Sequence, residues 1–219
     1  MAVVLVPYDE QAVRVWLVEQ GFGDLRGRII ESDKERCPMA WACEKGELGV
    51  CKWLYDHGAA ADISKLDNMG ATPMFIACEE GHQKVCKWLF EVGAAADITK
   101  ADSGGGTPMW IASGCGHLKV CKWLHQAGAA ADIMKTDNEG ATPMWIACYA
   151  GRLEVCQWLF DIGAAADITK VNNHGETPML AACGRDHLSV CQWLLEVGAA
   201  ADITKANNNG VAPHVYRLP

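Results

Sequence analysis

The chain has 219 residues, 50% hydrophobic and 21% charged, with 22 glycines and 8 prolines, a composition of folded globular proteins and not of disordered or fibrous ones. Lys and Arg number 19 against 27 Asp and Glu, a formal charge of −8 with an isoelectric point near 5.3, which weighs against phosphate backbones or anionic lipid as partners: no nucleic acid and no membrane are expected. The opening apolar run Met1 to Val6 stops at Pro7 and Asp9 without a basic flank, too short for a secretory leader or a membrane span, so a cytoplasmic chain with reduced thiols is expected despite 11 cysteines.

Asp9 to Gly21 reads as a lone helix with Val13, Trp16 and Leu17 in phase, and with Arg14 where later units carry Cys, the pattern of an N-terminal cap. From Ser32 the chain becomes periodic. Val-Cys-x-Trp-Leu begins at Val50, Val85, Val120, Val155 and Val190, and a Pro-Met pair stands at Pro38, Pro73, Pro108, Pro143 and Pro178. Gly-Ala-Ala-Ala-Asp-Ile begins at Gly58, Gly93, Gly128, Gly163 and Gly198 in the same register. The division is a capping helix and loop at 1–31, five units at 32–66, 67–101, 102–136, 137–171 and 172–206, and a truncated partial unit at 207–219.

Within a unit, Thr before Pro at Thr72, Thr107, Thr142 and Thr177 caps a short first helix whose first turn Pro favours. Gly46, Gly81, Gly116 and Gly151 break the chain, and Val, Trp and Leu at i, i+3 and i+4 make one apolar stripe on a second helix. That helix ends at the Gly of Gly-Ala-Ala-Ala, and a polar stretch such as Asp132 to Gly140 reverses the chain as a protruding loop. So small a unit cannot cover its own apolar faces, so the units must stack into an all-α, elongated solenoid.

The segment Gly140-Ala-Thr-Pro-Met-Trp-Ile-Ala147, followed by a Gly break, a Val-rich helix and Gly-Ala, resembles the ankyrin repeats, and the resemblance runs over about residues 8 to 213. It implies an ankyrin-repeat solenoid of stacked helix-turn-helix units with protruding hairpin loops, and a non-catalytic protein-binding role on the concave surface of hairpins and first helices. It also implies that His82, His117 and His187 close the turn between helices. The units depart from the pattern in three ways. Each is two residues longer than the family's customary length of about 33, the extra pair sitting in Ala-Ala-Ala-Asp. The usual Leu-His after Thr-Pro is Met followed by Ala40, Phe75, Trp110, Trp145 or Leu180. Asp186 replaces the inter-helix Gly, a residue that tolerates a left-handed backbone.

Nine cysteines fall on two repeat positions, Cys43, Cys78, Cys148 and Cys183 on first helices and Cys51, Cys86, Cys121, Cys156 and Cys191 on second helices, which reads as interior packing. The densest group for thiol, metal or redox chemistry is Cys115, His117 and Cys121, where zinc would need a fourth ligand from His82, Cys86, His125 or another unit. A catalytic group would stand out from its repeat-mates, and no nucleophile, base and orienter do so. Gly104 to Gly106 lacks the Lys of a phosphate loop and reads as a hairpin tip. No catalytic residue, metal ligand or cofactor is therefore assigned. The second-helix tryptophans read as a buried ladder, and Asp62, Asp97, Asp132, Asp167 and Asp202, each three before a Lys, as solvated loop charges.

Scaffold positions repeat, whereas recognition positions are free to vary. The variable positions are Met69, Ser103, Glu139, His174 and Glu176 at the hairpins, and Glu79, Glu80, Tyr149 and Arg185 near first-helix ends. Phe75, Trp110 and Trp145 lie on the same helical face as those ends and are expected to form an aromatic strip. These residues are the candidate partner-binding set, for a protein partner with a basic or mixed segment. Two alternatives stand beside this scaffold: a thiol-based metal or redox protein, and the targeting part of a longer enzyme chain. The expected state is a monomer, or a weak homodimer through an uncovered C-terminal end.

Overall fold

The computed structural model describes residues 10–22, 29–31 and 34–213; Asp9, Ser32 and residues 214–219, which bear on the cap, the first unit boundary and the partial unit, lie outside it. The capping helix is α1 (Glu10–Glu19), with Val13 and Leu17 buried and Trp16 packed at the core's edge. One element was absent from the helical expectation: β1 (Ile29–Glu31) and β2 (Lys34–Arg36) pair antiparallel, Ile30 opposite Glu35, and the unit boundary drawn at 31/32 falls directly after β1.

Five helix pairs follow: α2 (Pro38–Glu44) with α3 (Leu48–Leu54), α4 (Pro73–Glu79) with α5 (Gln83–Leu89), and α6 (Pro108–Cys115) with α7 (Leu118–Leu124). The last two are α8 (Pro143–Tyr149) with α9 (Leu153–Leu159), and α10 (Pro178–Cys183) with α11 (Leu188–Glu196). Each begins as its residues dictate. Thr72, Thr107, Thr142 and Thr177 accept the backbone N–H three residues on at 3.1 to 3.2 Å, and Pro occupies the first turn, where its missing N–H costs nothing. Cys37, at the same place in the first unit, makes no side-chain cap. Asp186 adopts a φ of 59°, the left-handed backbone that its place in the repeat requires.

The second helices of the first four units widen at their ends, all five lead to a glycine at φ 104° to 122°, and a tight turn follows at Ala60–Ser64, Ala95–Thr99, Ala130–Met134, Ala165–Thr169 and Ala200–Thr204. The Ala-Ala-Ala-Asp stretch, where the added pair of the long repeat is expected, leads into this turn. It also corrects one expectation. Asp97, Asp132, Asp167 and Asp202 are buried, each with Oδ2 making no hydrogen bond, because the turn folds the side chain inward; only Asp62 of the row stays half-exposed. Burial raises the carboxyls of Asp132, Asp167 and Asp202, and the following lysine partly offsets it.

The core is a continuous ladder through the stack. Met39, Met74, Met109, Met144 and Met179 after the prolines, and Leu54, Leu89, Leu124, Leu159 and Leu194 of the second helices, are wholly buried. Trp53, Trp88 and Trp193 are buried, whereas Trp16, Trp123 and Trp158 are half-buried, so the tryptophan ladder is partly open. From the second unit onward each of these rings meets edge-on an aromatic of the unit before: Tyr55 with Trp88, Phe90 with Trp123, His125 with Trp158 and Phe160 with Trp193, at 5.8 to 6.0 Å. First helices of adjacent units pack on each other more extensively than second helices do, which curves the array with first helices and hairpins on its inner side.

Candidate functional site

The inner face is assembled from hairpins locked to one another. Asp67 Oδ1 accepts the Met69 and Ala71 N–H groups, closing one hairpin, and Asp137, Asn172 and Asn207 repeat this device. Between hairpins, the N–H groups of Ser103, Asn138, Asn173 and Asn208 donate to the carbonyls of Met69, Gly104, Glu139 and His174 at 2.8 to 3.0 Å. The side-chain amides of Asn138, Asn173 and Asn208 add a second bond to the unit before. Spacing alone did not single out these asparagines, although their recurrence every 35 residues was visible.

On this rigid edge the candidate residues divide by exposure. Met69, Glu80, Ser103, Glu139, His174 and Arg185 are exposed; Glu79, Trp110, Tyr149 and Glu176 are half-buried. Phe75 and Trp145 are buried at 5% and 8% exposure, which puts them beneath the hairpins and not on an open strip. Their neighbours explain it: the Trp110 and Trp145 indoles donate to the Ala141 and Glu176 carbonyls of the following hairpin at 3.1 and 3.0 Å. His174 Nε2 lies 3.0 Å from Glu139 Oε2 on the preceding tip.

The first-helix ends line up from acidic to aromatic and cationic. Glu44 and Lys45, then Glu79 and Glu80, occupy the first two units, Gly114 and Cys115 stand in the third, and Tyr149 and Arg185 close the row. Asp102 extends the acidic character along the hairpins: desolvation raises its carboxyl, the Gly106 and Gly104 N–H groups oppose that, and flanking Asp67 and Asp137 raise it further. At the far end Trp145 and Tyr149 stack at 5.3 Å, and the Arg185 guanidinium lies 4.3 Å above the Tyr149 ring. Beside them Tyr149, Glu176, Leu180, Arg185, Asn207 and Val211 line a depression of about 200 Å³. Asn207 and Val211 escaped the sequence reading because the depression exists only between units, where they meet Leu180 of the first-helix face.

Cys115, His117 and Cys121 do not converge on one point. His117 Nε2 meets the Glu79 carbonyl of the preceding unit at 2.9 Å, and Cys121 is buried beside Ser113, its thiol pushed up to about 12 by burial. Among the described residues no three His, Cys, Asp or Glu side chains are grouped to hold a metal. His82 and His187 reach back in the same way, to the Glu44 and Tyr149 carbonyls, and Arg152 Nε does so to Gly114. These residues join units, and do not merely close a turn within one. No helix among the described residues is long and apolar enough to cross a membrane.

Compared with known families, residues 8–102 and 93–170 match a model described as ankyrin repeats (3 copies), and residues 174–208 match one described as ankyrin repeat. No curated protein matches the chain.

Proposed function

Because the chain belongs to the ankyrin-repeat family, whose repeats are generally protein-protein interaction modules, we propose that it is a non-catalytic scaffold gripping a protein partner along its inner face. The observation that carries this reading is the row of variable residues, from Glu79 and Glu80 to Tyr149 and Arg185, set in register on a scaffold that otherwise repeats. Hydrogen bonds between hairpins hold that row in place before a partner arrives, so association orders little of the chain. Met69, Ser103, Glu139 and His174 form the outer rim, Glu176 and Trp110 its half-buried floor, and Phe75 and Trp145 support it from below. The acidic half favours a basic or mixed segment, and the Tyr149 and Arg185 end supplies the ring and guanidinium common among interface anchors. A cytoplasmic setting, as monomer or weak homodimer, belongs to the same proposal.

Affinity capture from a lysate of the native source tests it, comparing wild type, an inner-face variant (Glu80→Ala, Tyr149→Ala, Arg185→Ala) and an outer-face control (Lys87→Ala, Gln126→Ala). Proteins held by wild type and the control but lost by the inner-face variant are the expected result. Equal retention by all three overturns the assignment of the inner face.

A further inference from the structure

Four of the five units place two thiols against each other, one on each helix: Cys43 with Cys51 at 3.8 Å, Cys78 with Cys86 and Cys148 with Cys156 at 3.6 Å, and Cys183 with Cys191 at 3.1 Å between sulfurs. In the third unit Ser113 stands opposite Cys121 and no pair exists. The first three pairs are wholly buried on both sides, where no dissolved oxidant reaches them. The fifth unit differs. Cys183 is half-exposed, followed by exposed Gly184, Arg185 and Asp186, while Cys191 beneath it is 1% exposed.

We propose that Cys183 and Cys191 are a redox modification site, in which a peroxide oxidises the half-exposed Cys183 and the buried Cys191 resolves it as an intramolecular disulfide. In the first step the Cys183 thiolate attacks a peroxide oxygen; the S–O bond forms, the O–O bond breaks, and hydroxide leaves to give a sulfenic acid. In the second the Cys191 sulfur attacks the sulfenic sulfur; the S–S bond forms, the S–O bond breaks, and the Cys191 proton leaves with the hydroxyl as water. Two electrons pass from the thiols to the peroxide, and an external dithiol reverses the change. The sulfurs must close by about 1 Å from 3.1 Å to reach the disulfide length of about 2.05 Å. The hydrogen bond from Cys191 lowers the Cys183 pKa, which favours the thiolate, while burial and Asp186 oppose it. The product ties α10 to α11 directly before Gly184 and Arg185.

The test exposes the reduced full chain to hydrogen peroxide, alkylates the remaining thiols under denaturing conditions and maps them by peptide mass. The expected product is lighter by two hydrogens, with two of the 11 cysteines protected and a single linkage between Cys183 and Cys191. Cys191→Ala should instead accumulate a Cys183 sulfenic acid trapped by dimedone, a readout that needs only a folded chain with residue 183 exposed. Retention of all 11 thiols, a linkage through Cys115, or equal oxidation of the buried Cys148 and Cys156 pair overturns the proposal.

Discussion

The first unit and the four behind it have the same length but different solutions at three places. Later units start their first helix with a threonine cap, whereas the first unit has Cys37 without a cap and, before it, Arg36, buried at 6% exposure. Arg36 pairs with Glu44 and faces Asp67 and Glu79, at 3.8 and 3.9 Å, so one guanidinium spans the first helix, the next hairpin and the next unit's first helix. Three later units reach back with an imidazole and one with Arg152, while the first has Glu47 there. Asp62 is half-exposed and 3.0 Å from Lys65, whereas Asp97, Asp167 and Asp202 are buried with lysines at 3.8 to 3.9 Å. The difference teaches that the inner units rely on local hydrogen bonds copied from unit to unit, and that the first relies on charges made once.

Removing that buried guanidinium should have the largest effect. Arg36→Ala leaves three carboxylates facing one another and should cost about 3 to 5 kcal/mol, read as a lower urea midpoint. If the midpoint holds, the cluster is not what joins the first two units. Thr142→Ala, which removes an inner cap and leaves the Trp145 N–H without its acceptor, should destabilise by about 1 kcal/mol; an unchanged melting curve contradicts the cap. The converse exchange, Cys37→Thr, should raise stability by up to about 1 kcal/mol if the first unit lacks only the hydroxyl, and a loss would show that Arg36 dictates the backbone there. The smallest effect concerns pH. A carboxyl raised on folding binds its proton more readily in the folded state, so its contribution to stability falls as pH rises through the raised value and is recovered as pH falls toward the unfolded value of about 3.9. Wild type should therefore gain on Asp132→Asn as pH falls from neutral toward about 4, measured as the difference in Tm. A constant difference would place Asp132 in a water-like setting.

Much of this was legible in order along the chain. Thr-Pro, the inter-helix glycines and the Val, Trp and Leu stripe describe local structure, and Thr142, Gly151 and Val155 do what their residue types allow wherever the repeat occurs. The candidate rim was legible only as variability. Phe75 and Trp145 share a helical face with the exposed positions, and helical phase cannot tell that the next hairpin covers them. Asp167, polar and in a turn, read as solvated for the same reason: exposure depends on the packing of a neighbouring segment.

The sequence by itself determined the 35-residue period, the helix pair with its caps and the thiol positions, because these follow from backbone preferences and apolar spacing that act within a few residues and are restated in every unit. Tertiary structure alone decided which copies of a repeated residue are open to solvent. It separated half-exposed Cys183 from buried Cys148, and half-exposed Asp62 from buried Asp167. Burial is a property of the unit stacked alongside, and identical residues with different neighbours meet different solvent.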